Sequence, residues 1–401
     1  MIEAIDVLFY LASYVCLFVS IFWVTTFIFS KKSVTKPPKK YPSLSIIIPA
    51  YNAEQSIEKC IRSLENQDYT KLKILVVDDG STDKTGSIVR NLLKRYKNIR
   101  YIKKENGGKA SALNVGLRYV RTALFGFIDS DTRLSENTLK NIVSYIRGRF
   151  ACVTIVLKPE KSNNMIEKIQ KVEYALSSFT RRLMSYLNSL YYTPGFSIYK
   201  TSIIKKLGGF DENNITEDLE IGLRLKDNGY EIENSTEHFA YTVVPETFRD
   251  LFRQRMRWYR GFIYNTRKYS HMFFNKRFGE LGILILPLQY LLLAVTTPLL
   301  LYGIYKILLT VFQRIIDISM VGPDISYFLS TSSFNMITPT TFFIAVVLVA
   351  FLIMLKLSQL KVREEISKLD YIIYIIIYPF ISWVIWTSAF IYEIIGVKKK
   401  W

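Results

Sequence analysis

Phe125-Gly126-Phe127-Ile128-Asp129-Ser130-Asp131-Thr132 is the stretch from which the fold can be read. A short apolar run, aromatic and β-branched, stops abruptly at two carboxylates separated by one residue. The run predicts a buried strand. The carboxylates then lie in the loop at its C-terminal end, the edge where open α/β sheets bind ligands. Two Asp side chains at i and i+2 on a turning loop can converge on one hard cation. Oxygen donors of this kind suit Mg²⁺ or Mn²⁺ shared with substrate phosphates. Asp is also a common turn residue. D-x-D alone therefore reads as a solvated turn, and only its surroundings give it weight.

Working back from this strand, Leu44 to Pro49 predicts a buried strand and Glu54 to Glu65 a helix, with Ile57, Cys60, Ile61 and Leu64 on one face. Ile74 to Val77 predicts a second strand, breaking into Asp78-Asp79-Gly80-Ser81-Thr82-Asp83, where Ser81, Thr82 or Asp83 can cap the next helix. A third strand covers Ile99 to Ile102. Asn106-Gly107-Gly108-Lys109-Ala110 then opens a helix through Leu117. Strand, turn and helix alternating at this spacing predict a doubly wound, mostly parallel sheet with crossover helices.

Beyond the D-x-D, Val153 to Leu157 predicts another strand. Met165, Ile166, Ile169, Val172, Leu176, Phe179, Leu183 and Leu187 form a helical stripe opposite Lys168, Lys171, Arg181 and Arg182. Such a basic amphipathic helix either lies in a membrane interface or packs on the sheet, and the sequence leaves both readings open. Thr193-Pro194-Gly195-Phe196-Ser197 and Gly208-Gly209-Phe210-Asp211 are turns. Ile215-Thr216-Glu217-Asp218-Leu219-Glu220 starts a helix, with Thr216 expected as N-cap and acids in the first turn. Pro245 to Tyr269 predicts a long basic helix containing Gln254-Arg255-Met256-Arg257-Trp258.

The 401 residues carry a formal net charge of +19, and half of them are hydrophobic. Nucleic acid, anionic lipid headgroups or an anionic substrate would each explain the charge. No zinc-finger or RNP signature is present, which argues against nucleic acid. Cys16, Cys60 and Cys152 have neither a disulfide framework nor zinc spacing. With His238 and His271 as the only histidines, a zinc site or a Ser-His-Asp triad is not expected, and carboxylates must carry acid–base work.

The remaining apolar sequence points to a bilayer. Ile5 to Phe29 is long enough to cross it. Lys31, Lys32, Lys36, Lys39 and Lys40 follow, separated by Pro37-Pro38. By the positive-inside rule these lysines stay in the cytoplasm and the N-terminus faces out. No positive n-region or A-x-A site marks a cleaved signal peptide. Further apolar runs occupy about 283–312, 341–357 and 371–396. Lys356, Lys361, Arg363 and Lys368 place the second of their connections in the cytoplasm. One plus three spans then leaves Lys398-Lys399-Lys400-Trp401 outside, against the rule. Pro287 and Pro298 allow the 283–312 run to be a re-entrant hairpin instead. The expected division is an N-terminal transmembrane helix over 1–30, a cytosolic catalytic domain over 31–245, an interfacial helix region over 246–278 and transmembrane helices over 279–401. A transporter fragment would show repeats and intramembrane charges, and neither is seen.

Each carboxylate cluster, Asp78/Asp79, Asp129/Asp131 and Glu217/Asp218, lies where a predicted strand or turn ends, and Lys109, Arg255 and Arg257 can supply cations. Carboxylates, a metal and cations are the inventory for handling a diphosphate. The ordered set I-I-I-P-A-Y-N, V-V-D-D-G-S-T-D, N-G-G-K-A-x-A-L-N, D-S-D, G-G-F-D…T-E-D and Q-R-M-R-W resembles the membrane-embedded processive family 2 glycosyltransferases. These include the synthases of cellulose, chitin, hyaluronan and poly-N-acetylglucosamine. The resemblance covers about residues 44–262 and implies a GT-A fold.

The resemblance also implies roles. Asp78 and Asp79 would hold the uracil or ribose of a UDP-sugar, with Tyr51 beside them; Lys109 would contact the nucleotide or diphosphate. Asp131 would ligate Mg²⁺ or Mn²⁺, with Asp129 as second ligand on the nucleotide side. Asp218 would be the general base and Glu217 a substrate contact. Gln254, Arg255, Arg257 and Trp258 would bridge the diphosphate and the acceptor sugar, and Gly195-Phe196 would admit the acceptor end. Tyr199-Lys200 departs from the aromatic-Arg pair frequent in relatives. The implied partners are a UDP-sugar, first UDP-N-acetylglucosamine or UDP-glucose, a growing polysaccharide or lipid-linked acceptor, and the plasma membrane. Two other readings stay open: single transfer to a polyprenyl phosphate, and an inactive membrane scaffold or transporter subunit.

Overall fold

The computed structural model describes residues 4–30, 38, 40–321 and 339–397; Lys31, Lys32, Lys36, Pro37, Lys39, the connection 322–338 and Lys398-Lys399-Lys400-Trp401 lie outside the described residues. The chain divides into two units. One comprises Met1–Phe29 with Leu284–Lys356, the other Ser30–Ile283 with Leu357–Trp401.

In the first unit, α1 (Ala4–Phe29) packs on α10 (Leu286–Val321), and the early part of α11 (Pro339–Val362) completes it. The expected hairpin at 283–312 is not formed. After a π-helical turn at Leu281–Ile285, α10 runs unbroken through Pro298 for 36 residues. Pro287 lies just after that π-turn, an irregularity of the kind that accommodates a proline within a helical stretch. Counting α12 (Lys368–Ile394), which belongs to the second unit, four helices among the described residues are long and apolar enough to cross a membrane.

The second unit is built on an eight-stranded sheet. In chain order its elements are β1 (Leu44–Ala50), α2 (Ile57–Glu65), β2 (Leu72–Asp78), α3 (Thr85–Arg95), β3 (Ile99–Lys103), α4 (Lys109–Tyr119) and β4 (Leu124–Ile128). There follow β5 (Thr132–Leu134), α5 (Thr138–Val143), β6 (Phe150–Pro159), α6 (Met165–Tyr186), β7 (Phe196–Lys200) and α7 (Thr201–Lys206). The last are α8 (Glu217–Asp227), β8 (Glu231–Thr242) and α9 (Phe248–Lys268). The strand order is β3-β2-β1-β4-β7-β6-β8-β5. β1 pairs in parallel with β2 and β4, β2 with β3, and β6 with β8, as crossover helices require. β7 runs antiparallel between β4 and β6, and β5 antiparallel to β8. The sheet is mixed with a parallel majority.

Every residue of β1 and β4 is buried, Ser45 included, as expected of near-continuous apolar strands covered on both faces. Register brings the polar ends to one edge. Ala50 pairs with Asp78, and Ile128, the residue before Asp129, pairs with Phe196. Gly126 admits this neighbour: a Cβ there would lie 2.7 Å from the Ser197 carbonyl oxygen.

The two readings of α6 resolve in favour of packing on the sheet. Ile169, Val172, Ala175, Phe179 and Leu183 are buried, and α6 packs on β6 and β8. Arg182, expected on a solvated or lipid-facing side, is buried and reaches Glu233 on β8 at 2.6 Å. Thr216 holds the N-cap position of α8, but its side chain does not cap. Its Oγ1 accepts from Asn265 Nδ2 on α9 at 3.0 Å instead. Gly261 makes that approach possible, since a Cβ there would lie 2.3 Å from Thr216 Cγ2 and Oγ1.

Gly261→Ala is therefore expected to push α9 away from the start of α8. The cost should be the roughly 1–3 kcal/mol of overpacking, read as a lower Tm of the detergent-solubilised protein. Gly303→Ala, with nothing within 4 Å of its Cβ position, should leave Tm unchanged.

Candidate active site

Lys109 is the first residue of α4, released into the helix by Gly108 at φ +86°. Its ammonium lies 2.6 Å from Asp129 Oδ1 and 2.9 Å from Glu217 Oε1. It also lies 5.2 Å from the centre of the Phe127 ring. One cation thus joins the loop after β4 to the start of α8. Burial disfavours its charge, but the carboxylates of Asp129, Glu217 and Asp218 outweigh this and hold its pKa above the ordinary lysine value. Glu217 is 1% exposed and its Oε2 has no hydrogen-bond partner. Burial raises its pKa, but Lys109 and Arg257 pull harder, so it is lowered overall and Glu217 stays ionised.

Asp218 sits beside this pair. Burial and the Glu217 charge raise its pKa to about 6, against the pull of Lys109 and Arg257. Its backbone carbonyl is fixed by Thr193, which donates from N at 3.2 Å and from Oγ1 at 2.9 Å. Tyr199 donates in turn to Thr193 Oγ1 at 2.8 Å. Tyr199 is fully buried and stacked on Phe125 and Phe127. The turn Thr193–Ser197 and the start of α8 are thus one hydrogen-bonded assembly.

Asp131 is open to solvent, yet crowding by protein and the Asp129 charge raise its pKa to about 6. Thr132 and Thr242 hydroxyls approach its Oδ1 at 3.0 and 3.5 Å. It borders a cavity of about 550 Å³ lined also by Asn52, Glu54, Lys59, Lys161 and Val244. Among the described residues no group of three or more His, Cys, Asp or Glu converges as a metal cage. Asp129 and Asp131 offer oxygen donors only, a set that fits a Mg²⁺- or Mn²⁺-type cation completed by water and phosphate oxygens.

The other expected site residues divide. Asp78 and Asp79 lie at the edge of the sheet but are buried and occupied. Asp78 accepts from Ser81 N at 2.8 Å and from the Tyr101 hydroxyl. Asp79 accepts from Lys104 Nζ at 2.5 Å, Gly107 N at 3.0 Å and Gly108 N at 2.7 Å. They hold the turn and the glycine loop that leads to Lys109. Tyr51 follows β1 and is exposed. Gly195 has φ +66° and no room for a Cβ, which would meet Leu157 Cδ1 at 2.5 Å. Phe196, expected at the acceptor, is fully buried in the core opposite Ile128.

The two arginines of Gln254-Arg255-Met256-Arg257-Trp258 part company, because residues two apart on a helix point to opposite sides. Arg257 donates to the Ile215 carbonyl at 3.3 Å and acts electrostatically on Glu217 and Asp218. Arg255, expected on a diphosphate, is instead 1% exposed and held by Glu173 in two bonds of 3.0 and 2.6 Å. Trp258, one turn on, lies under its guanidinium at 4.0 Å, and Gln254 accepts from it. Sequence reasoning gave no role to Glu173, Thr193 and Lys104, and read Tyr199 only as part of the Tyr199-Lys200 pair. The Thr-Pro-Gly turn hinted at Thr193, whereas nothing near Arg255 in sequence pointed to Glu173.

A mixed, mostly parallel sheet with acidic loop ends gathered on a lysine has the GT-A type of fold, and residues 45–208 match the family described as glycosyl transferase family 2. The matched stretch is under half of the chain, and the helices able to span a bilayer lie outside it. It is 26% identical over 260 residues to a poly-β-1,6-N-acetyl-D-glucosamine synthase of Staphylococcus epidermidis, a match covering 61% of this chain and 63% of that one. The synthase of the same description from Staphylococcus aureus strain COL is 26% identical over 258 residues, with the same coverage. The match thus spans under two thirds of these curated relatives. In fold the chain is similar to the mannosyltransferase PcManGT from Pyrobaculum calidifontis, solved in complex with GDP-Man and Mn²⁺. The TM-score is 0.62 at 20% identity, covering 88% of this chain and 98% of that one.

Removing Glu173 leaves the buried Arg255 without its counter-ion. Glu173→Ala should cost on the order of 3–5 kcal/mol of stability, measured as a large fall in Tm. The donor KM of the fraction that remains folded should change little.

Proposed function

We propose that this chain is an inverting polysaccharide synthase, transferring a sugar from a UDP-sugar, UDP-N-acetylglucosamine first, to the end of a growing β-linked polymer. The catalytic domain faces the cytoplasm of a cell whose plasma membrane holds the apolar helices. One observation carries the reading: Lys109 binds Asp129 and Glu217 at once, so the D-x-D loop and the Thr216-Glu217-Asp218 helix start form a single site. The poly-N-acetylglucosamine synthases among the relatives supply the donor and the polymer.

Asp218 takes the acceptor hydroxyl proton as that oxygen attacks the anomeric carbon from the face opposite the leaving group, converting α to β. A positioned general base of this sort contributes about 10²–10⁴-fold. Thr193 and Tyr199 keep it in place through its carbonyl. Glu217 stays charged and keeps Lys109 charged, and with Arg257 these cations stabilise negative charge developing on the departing diphosphate. Asp131, with Asp129, would hold a divalent cation shared with the donor phosphates, which when bound supplies further charge neutralisation. Asp78 and Asp79 serve the nucleotide by fixing the loops around it. Gly195 admits the acceptor end.

The test is nucleotide release by purified protein in lipid nanodiscs, with a panel of UDP- and GDP-sugars and Mg²⁺ or Mn²⁺, and sizing of the product. GDP-sugars are included because the mannosyltransferase of like fold was solved with GDP-Man. One sugar should give a long, metal-dependent product, and Asp218→Asn should reduce the rate by about 10²–10⁴-fold. A product of one sugar on added polyprenyl phosphate overturns the polymerising reading, and no nucleotide release from any donor overturns the enzyme.

The proton acceptor must be ionised, and the free-enzyme pKa of Asp218 is raised to about 6. kcat/KM should therefore rise with pH through about 6 and fall tenfold per unit well below it. A profile flat from pH 5 to 8 would rule out Asp218 as the titrating base.

A further inference from the structure

We propose that the last apolar helix, α12, does not cross the bilayer but lies along its surface, on the leaflet that the catalytic domain faces. By length and composition Lys368–Ile394 qualifies as a span. At 27 residues it is about 40 Å long. Standing upright, it would put its ends on opposite sides of a hydrocarbon layer about 30 Å thick.

Both ends are instead bonded to the catalytic unit. Just before the helix, Glu364 meets Lys158 at 3.0 Å and Lys171 at 3.7 Å, and the Arg363 carbonyl accepts from Lys158 Nζ at 2.7 Å. Lys158 is a residue of the sheet strand β6. At the far end, Glu393 meets Arg260 Nε at 2.7 Å, and the Val397 carbonyl accepts from Arg260 Nη2 at 2.5 Å. Arg260 belongs to α9, a helix too polar to enter hydrocarbon. Between the ends, Trp386 stacks on Tyr259 at 4.0 Å, and Ile385 and Ala389 pack on Met256. One face of α12 therefore rests on α6 and α9 throughout its length.

The opposite face is apolar and uncovered. Leu369, Ile372, Ile376, Phe380 and Ile391 are about half exposed or more, at spacings of three, four, four and eleven residues that keep them on one side. A helix with one protein-bound face and one apolar face is suited to the boundary between headgroups and acyl chains. The occupant is the bilayer: the helix follows directly on apolar helices that qualify as spans, and basic residues stand at its entry, Lys361, Arg363 and Lys368. Among the described residues the spans are then three, Val7–Phe29, Leu281–Met320 and Ala345–Val362. An odd number returns the chain after Val362 to the compartment of the catalytic domain. The conflict that four spans create with Lys398-Lys399-Lys400 disappears.

The absolute side rests on the proposed cytoplasmic catalytic domain, and the experiment separates the two. In the full chain with Cys16, Cys60 and Cys152 replaced by Ser, single cysteines are placed by Asp68→Cys, Glu365→Cys and Val397→Cys, marking the catalytic domain and the two ends of α12. Labelling by a membrane-impermeant maleimide is compared in intact cells and inside-out vesicles. All three should label only in inside-out vesicles. If Val397→Cys labels from the side opposite to Asp68→Cys, α12 spans and the proposal is wrong. If all three label in intact cells, the in-plane helix stands and the cytoplasmic assignment falls.

Discussion

A single ammonium holds the acidic edge of this protein together. The loop after β4 and the first turn of α8 bring Asp129, Glu217 and Asp218 into one small volume, where like charges repel and push the loops apart. Lys109, 2.6 and 2.9 Å from two of them, makes the cluster tolerable. The rest of the catalytic unit serves to deliver that lysine. Asp79 gathers Lys104 and the N–H groups of Gly107 and Gly108, so α4 starts where its first side chain meets the carboxylates. Asp78 ties the same corner through Tyr101 and Ser81. The two aspartates act by construction, at a distance from the charge they make usable.

The first half of the sheet was legible because its residues obey one rule at a time. β1, β2 and β4 are apolar runs, interrupted only by Ser45 and Lys73, that end at Asp or Pro, and α2 carries a simple 3.6-residue period, so alternation alone gave the mostly parallel sheet and its edge. The second half mixes signals. β8 was not predicted because Glu231, Glu233, Asn234, Ser235 and Thr236 are all buried in it, and such a run has no apolar alternation to find. Several of its polar groups are held from afar, Glu233 by Arg182 and Ser185, Asn234 Nδ2 by Thr154, which one-dimensional spacing does not encode.

The candidate site was legible at the level of residue type and order. Asp129, Glu217, Asp218, Lys109 and Arg257 were all named from motifs, and the structure brings them together, whereas Asp78 and Asp79 stand apart. Function within a motif was harder to apportion. Arg255 and Arg257 are chemically identical and two residues apart, but opposite sides of α9 give one a structural carboxylate and the other the site. Phe196 likewise shares a turn with Gly195 yet is consumed by the core. In each case the deciding partner, Glu173 or Ile128, is distant in sequence.

α9 is fastened on several sides at once. Arg255 grips α6, Gly261 and Asn265 meet the N-cap of α8, and Arg260 reaches the end of α12. These anchors leave the helix no freedom to roll about its axis. Any displacement of the surface-lying segment must then reach the carboxylates as a tilt of a stiff rod, moving Arg257 and the helix start bearing Asp218 in concert. A load on α12 would thus be passed to the catalytic edge mechanically, with α9 as its lever arm.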